Sequence, residues 1–321
     1  MNSTTSRRAH PWLAAAFAAW LGFFVSAAQA VIIESSSGAG NTTAPVDVDD
    51  PGFANVGIRG AASGVYVGNR WVLTANHVGG GSIELDGTVY GLQAGSGRRL
   101  TNAGASGRTA STDLYMYRID ADPAGLSALS IASSSPSVGD DLVMVGAGYD
   151  RGDFTRWSVN QQTDPWSWSE VSSGGTASGY KADTASRSLR WGTNTVESGG
   201  WYGIGSDVYG FTTDFDNFLN PNSTEAQAVV GDSGGGVFRK NGTDWELAGI
   251  MLAVGGFDGQ PNPGENAVFG NVTYIADLSY YAPQINATIA TVPEPGSLGL
   301  LIAGGVAIAV AGLRGRQLLP R

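Results

Sequence analysis

From Pro51 onward the chain alternates between short apolar runs and glycine-rich breaks. Asn55-Val56-Gly57-Ile58-Arg59 and Ser63-Gly64-Val65-Tyr66-Val67 predict two strands with a turn between them. Arg70 to Ala75 predicts a third, ending at His77. Ser82 to Leu85 and Val89 to Leu92 keep the same spacing, with Asp86-Gly87 between them as a two-residue hairpin turn. Asp113 to Ile119 closes this group. Residues 120–138 lose the pattern, are rich in Ala, Ser and Pro, and read as a linker. A second group begins at Asp140-Asp141-Leu142-Val143-Met144-Val145-Gly146 and ends around Asn271-Val272-Thr273-Tyr274-Ile275, with a short helix expected near Ala276 to Tyr281. Strands this short and this frequent predict an all-β chain. Two groups on either side of a linker predict two packed β-barrels, about 51–120 and about 139–287.

Three stretches fit the pattern less well. Val31 to Asp50 is polar and is expected to be a loose surface lead-in. The interval 151–220 carries Trp157, Trp166, Trp168, Trp191 and Trp201; core and cross-strand packing is the expected role, ahead of a substrate groove. Asp214-Phe215-Asp216-Asn217 lacks the spacing of a calcium loop and reads as a solvated turn.

Composition narrows the class. The chain has 321 residues, enough for a sizeable core, and 48 Gly, in keeping with many turns. Its formal charge of -10 argues against binding nucleic acid. With no Cys there is no disulfide framework, so the core alone must hold the fold.

Both ends read as addresses. Residues 1–30 have Arg7 and Arg8, an apolar stretch from Trp12 to Val25, and Ala28-Gln29-Ala30 as a small-x-small cleavage site: a secretory signal peptide whose removal by signal peptidase leaves Val31 first. At the other end, Val292-Pro293-Glu294-Pro295 precedes an apolar segment, Leu298 to Leu313, then Arg314, Arg316 and Arg321. That segment spans about 24 Å as a helix, just short of a hydrocarbon core. A transmembrane helix at 298–313 stopped by arginines is one reading. The three-part order over 288–321 also resembles the PEP-CTERM sorting signal of Gram-negative bacteria. That resemblance implies contact with the membrane before processing, removal of the tail by an exosortase, and delivery to the cell envelope, the outer surface or beyond.

Inside these ends a single histidine remains, His77, since His10 falls in the signal. One histidine and no thiol make a zinc site improbable, and no cofactor is called for. A serine hydroxyl is a poor nucleophile until an imidazole takes its proton, and the imidazole needs a carboxylate to hold its tautomer. Gly231-Asp232-Ser233-Gly234-Gly235 offers a serine between glycines, and Ser111-Thr112-Asp113-Leu114 an aspartate at the head of an apolar run. Chain order discriminates among scaffolds. An α/β-hydrolase needs its histidine after the serine, and none follows Ser233. A subtilisin order needs the aspartate first, and Asp47, Asp49 and Asp50 lie in the patternless lead-in. His77, Asp113, Ser233 fits the remaining order.

Thr74-Ala75-Asn76-His77, Asp113-Leu114, Pro136-Ser137-Val138-Gly139-Asp140 and Gly231-Asp232-Ser233-Gly234-Gly235 together resemble the chymotrypsin/trypsin-like serine protease family. The resemblance runs over about residues 51–285. It implies two six-stranded antiparallel barrels with the active site in the cleft between them. It also implies roles: Ser233 as nucleophile, His77 as general acid/base, Asp113 as its orienting partner, and the N–H groups of Gly231 and Ser233 as oxyanion hole. Leu252, Ala253 and Val254 would wall the primary pocket and pair with substrate backbone, with Gln227 at the pocket base. Asp232 would be a structural support that pairs with a freed amino terminus, for which Val31-Ile32-Ile33 is suitably apolar. The expected alternative leaves residues 31–50 on the surface and pairs Asp232 with backbone or a side chain.

The chain departs from the family in three ways. The usual cysteines are missing, Asn76 replaces a small residue beside His77, and Gln227 replaces an acid. The last argues against a preference for Arg or Lys, unless loop lengths shift the register to Glu225. The leading function is an exported serine endopeptidase acting on protein or peptide substrates. A non-catalytic envelope protein on the same fold, and an esterase-like hydrolase using the same acyl transfer, are the alternatives.

Overall fold

The structure is a computed structural model that describes residues 31–35, 40–46, 49–218, 220 and 222–291. The expected signal peptide, the Pro-Glu-Pro tail and the 298–313 segment lie outside these residues.

Two seven-stranded sheets dominate, and every pairing within them is antiparallel. The first runs in spatial order Thr88–Tyr90, Ile83–Leu85, Val56–Arg59, Ala62–Gly68, Trp71–Ala75, Ser111–Arg118, Arg98–Thr101. The second runs Arg190–Thr195, Asp141–Gly146, Gly236–Asn241, Asp244–Gly255, Val272–Asp277, Asp207–Asp214, Ser198–Gly203. These are the two strand groups read from the sequence, with one more strand in each sheet than the six-stranded barrels implied. The expected turn at Asp86-Gly87 is present: Leu85 pairs with Thr88, and both turn residues have positive φ, 45° and 72°. A two-residue turn whose twist matches the strands needs that geometry, which glycine adopts without strain.

A four-stranded accessory sheet, Ser167–Val171, Tyr149–Asn160, Ala177–Arg187, Asn266–Val268, was not foreseen. Its strands are mostly polar on both faces, so they carry little alternation to read. The tryptophans divide here. Trp157 and Trp191 are buried, Trp157 packing edge-to-face on Trp168 at 6.3 Å. Trp166, Trp168 and Trp201 are half-buried.

The two large sheets share one core. Val56, Val65, Leu73, Leu114 and Met116 of the first pack in the same cluster as Val143, Val145, Phe238, Leu247 and Ile250 of the second. Burial of such side chains stabilises by about 1.5–3 kcal/mol each, and with no disulfides this shared core holds the sheets together. The linker is strapped to both sheets: Asn55 donates to the Ser127 carbonyl (2.8 Å), and Ala132 donates to Leu247 O (3.0 Å).

Three expectations need correction. The lead-in is not wholly a surface segment: Val31, Ile32 and Ile33 are buried, and Ile32–Ile33 pairs with Ala226–Gln227. The polar residues that follow masked three apolar ones. The final helix is longer than expected, Leu278–Ala290, and starts after strand Val272–Asp277. Asp277 caps it, its carboxylate accepting from Ser279 N at 2.9 Å. Pro283 reads as a breaker, yet buried Leu278, Tyr281, Ala282 and Ile285 form a helical stripe that packing secures. Asp214-Phe215-Asp216-Asn217 is not simply solvated: Phe215 is buried and stacks on Phe269 with centroids 4.8 Å apart. Among the described residues no helix is long and apolar enough to cross a membrane.

Candidate active site

Strands Trp71–Ala75 and Ser111–Arg118 pair so that Ala75 faces Leu114, which brings the chain after one beside the start of the other. His77 and Asp113 therefore meet. The His77 amide donates to Asp113 Oδ1 at 3.0 Å, and His77 Nδ1 lies 2.7 Å from Oδ2. Asn76 N also donates to Asp113 O at 2.9 Å. A carboxylate so placed fixes Nδ1 as the protonated nitrogen and leaves Nε2 free. The hydrogen bond to Asp113 raises the His77 pKa above its ordinary 6.5, opposed by burial and aided by the Asp113 charge. The His77 side chain keeps 48% of its surface exposed and Asp113 only 12%, so the imidazole is accessible and the carboxylate is not.

Ser233 comes from the second sheet. In the turn before strand Gly236–Asn241, Asp232 N donates to Val229 O (3.0 Å), Gly234 N to Met251 O (2.8 Å) and Gly235 N to Asp232 O (2.8 Å). Among the described residues the N–H groups of Gly231 and Ser233 donate to no protein acceptor. Gly231 has φ 102°, and a Cβ there would overlap the Arg187 guanidinium and come within 2.8 Å of Gly148 Cα and 3.1 Å of Ala61 O. No other residue fits this turn. Ser233 Oγ points to Leu252 O at 3.4 Å. Leu252 is the extra residue of a bulge between Met251 and Ala253, and such a kink redirects a carbonyl.

The first sheet also grips the turn. Ser63 N donates to Ser233 O (2.9 Å), and Ser63 Oγ donates to Gly231 O (2.9 Å). Behind Asp113, Tyr281 of the final helix donates its hydroxyl proton to Asn102 Oδ1 (2.9 Å), and its oxygen lies 3.2 Å from the Thr112 hydroxyl. Sequence reading missed Ser63 and Tyr281. Nothing in their local runs distinguishes them from ordinary strand and helix positions.

Asp232 is fully buried. It accepts from Gly148 N (2.8 Å), Val229 N (2.8 Å) and Val31 N (3.5 Å). Burial pushes its carboxyl up to about 7, and these N–H groups pull the other way. Both readings of Asp232 thus hold part of the geometry: it pairs with backbone, and one of those amides belongs to Val31.

The expected pocket residues divide. Ala253 and Val254 are half-buried at the end of strand Asp244–Gly255, with Leu252 buried beside them. Gln227 does not line an accessible pocket: it is fully buried, its Cα opposite Ile32 and its Nε2 3.4 Å from Val272 O. The strand formed by Ile32–Ile33 covers it, which the lead-in reading had not allowed for. Glu225 is no substitute. It accepts from Asp216 N at 3.4 Å, and burial pushes its carboxyl up to about 8, with Asp216, Glu34 and Glu197 adding to the rise.

Residues 62–250, more than half of the chain, match the family described as trypsin-like peptidase domain. The chain belongs to that family. No curated protein matches it by sequence. Among solved structures it is similar to two mutants of human heparin binding protein. They are 14% and 13% identical, span 74% and 77% of this chain and 88% and 95% of theirs, and have TM-scores of 0.44 and 0.46. Neuropsin, a serine protease expressed in the limbic system of mouse brain, is 18% identical over 73% of this chain and 92% of its own, with a TM-score of 0.39.

Proposed function

We propose that the protein is an exported serine endopeptidase that cleaves peptide bonds through an acyl-enzyme. One observation carries this reading: a His77–Asp113 pair at 2.7 Å, carried by the sheet whose Ser63 holds the Ser233 turn, with the N–H groups of Gly231 and Ser233 unpaired among the described residues. Ser233 Oγ turns from Leu252 O toward His77 and attacks the substrate carbonyl carbon. His77 Nε2 takes its proton, and Asp113 holds the imidazolium that results. The carbonyl oxygen gains the charge and is met by the two unpaired N–H groups. Collapse breaks the C–N bond, and the leaving amine takes the proton from His77. Water, deprotonated by His77, then releases the acyl group and restores Ser233.

Substrate backbone lies along Ala253 and Val254. Export rests on the sequence features of residues 1–30, and surface delivery in a Gram-negative envelope, with exosortase as processing partner, on those of 288–321. We further propose that cleavage after Ala30 turns Val31 N from an amide into an ammonium beside Asp232. A buried carboxylate with a counter-charge holds the Gly231–Ser233 turn more firmly than one without.

The test uses protein from cells expressing the full chain, given a peptide library and a fluorophosphonate. Labelling at Ser233 together with cleavage supports the reading, and Ser233→Ala must abolish both. Labelling with hydrolysis of esters but no peptides supports an esterase. Neither labelling nor cleavage supports a binding protein.

A further inference from the structure

Ser233 stands between two walls. On one side its Oγ is 3.4 Å from Leu252 O, where the edge of Ala253 and Val254 begins. On the other, Ser63 of the first sheet holds Ser233 O and Gly231 O. A substrate whose acyl part lies along the first wall, with its carbonyl oxygen at Gly231 N, must continue past the scissile bond over Gly231 toward Ala61.

A cation waits there. Arg187 ends strand Ala177–Arg187 of the accessory sheet, opposite Tyr149 in register. Its guanidinium lies 4.0 Å from the centroid of the Tyr149 ring, donates to Ala61 O beside the first sheet, and fills the space a Gly231 Cβ would need. It is half-buried, and no carboxylate among the described residues forms an ion pair with it. Asp232 feels its charge but is sealed away and already accepts three N–H groups. A planar fork of donors, held in place by one bond and one ring, is preorganised for a carboxylate. At about 3.3 Å per extended residue, its position beside Gly231 is within reach of the first two residues after the cut.

We propose that Arg187 determines specificity on the leaving-group side, selecting an Asp or Glu side chain one or two residues after the scissile bond. This rests on the endopeptidase reading.

Protein from cells expressing the full chain is given quenched peptides that differ only in that residue: Asp, Asn or Lys. Fluorophosphonate labelling of Ser233 is followed in parallel. The expected order of kcat/KM is Asp over Asn by about 10-fold, with Lys last. Arg187→Gln removes the preference for Asp over Asn in protein that still labels at Ser233, and Arg187→Glu favours Lys. Equal cleavage of all three peptides by labelled wild type overturns the assignment and leaves the endopeptidase standing. Absence of both labelling and cleavage overturns both. If neither variant folds, the wild-type ranking of Asp against Asn decides alone.

Discussion

The half of the site built on the first sheet and the half built on the second are held in different ways. His77 and Asp113 are 36 positions apart and sit at the ends of two adjacent strands, joined by two bonds of 3.0 and 2.7 Å. Ser233 depends on distant parts of the chain: Gly148, 84 positions from Asp232, Val31, 201 positions from it, and Ser63 from the opposite sheet. The His77–Asp113 pair is wired by neighbouring strands. The Ser233 turn is held in place by contacts that exist only when the whole domain is assembled.

The largest effect should come from breaking either half outright. Ser233→Ala, His77→Ala and Asp113→Asn should each lower kcat by about 10⁴-fold or more, measured on one peptide substrate. Full activity in Ser233→Ala would show that the two halves do not act together.

Next in size is the distant support. A chain beginning at Val31 should exceed one with Gly-Ser before Val31, and one beginning at Pro51, by about 10²-fold in kcat/KM, since a buried carboxylate without its counter-charge is costly. Equal activity in all three would remove Val31 from the support of Ser233.

The same contact should appear in stability. With Val31 N as an amide, the Asp232 carboxyl titrates at about 7, whereas an unfolded aspartate releases its proton near about pH 4. Between these values the folded chain keeps a proton that the unfolded chain has lost, so this group's contribution falls as pH rises through the window. The Gly-Ser-extended chain should therefore unfold at lower urea at pH 8 than at pH 5, and Asp232→Asn should flatten the difference. A free Val31 ammonium lowers the Asp232 pKa and should do the same.

A smaller effect sharpens the first-sheet half. Only neutral His77 accepts a proton, and Asp113 raises its pKa above 6.5. The rising limb of kcat/KM against pH should have its midpoint above 6.5, and it should move down in Asp113→Asn. The smallest contrast is at the primary pocket. Its accessible wall, Ala253 and Val254, carries no charge, so library cleavage should not be dominated by sites after Arg or Lys.

The same division explains what could be read from the sequence. Most of the first sheet was legible because its strands are short apolar runs broken by turns such as Asp86-Gly87; Arg98–Thr101, with only Leu100 buried, was missed. His77 stood out by rarity, Asp113 and Ser233 by the runs around them, and the structure brings the first two within 2.7 Å. The rest is long-range. Nothing near Gln227 says that Ile32 will cover it, nothing near Tyr281 says that it will prop Thr112, and Arg187 gains meaning only beside Gly231. The accessory sheet escaped because its residues follow no single periodicity.

The strand Ile32–Ile33 also sets a clock. It is among the first described segments to be synthesised, but its partner Ala226–Gln227 appears only after most of the domain has been made. Closing so large a loop is entropically slow, and contacts of this separation form late in folding. A partly made chain can pair His77 with Asp113 while the turn around Ser233 still lacks its anchor. If the proposed function holds, hydrolytic competence follows the closing of this long loop rather than the pairing of His77 with Asp113.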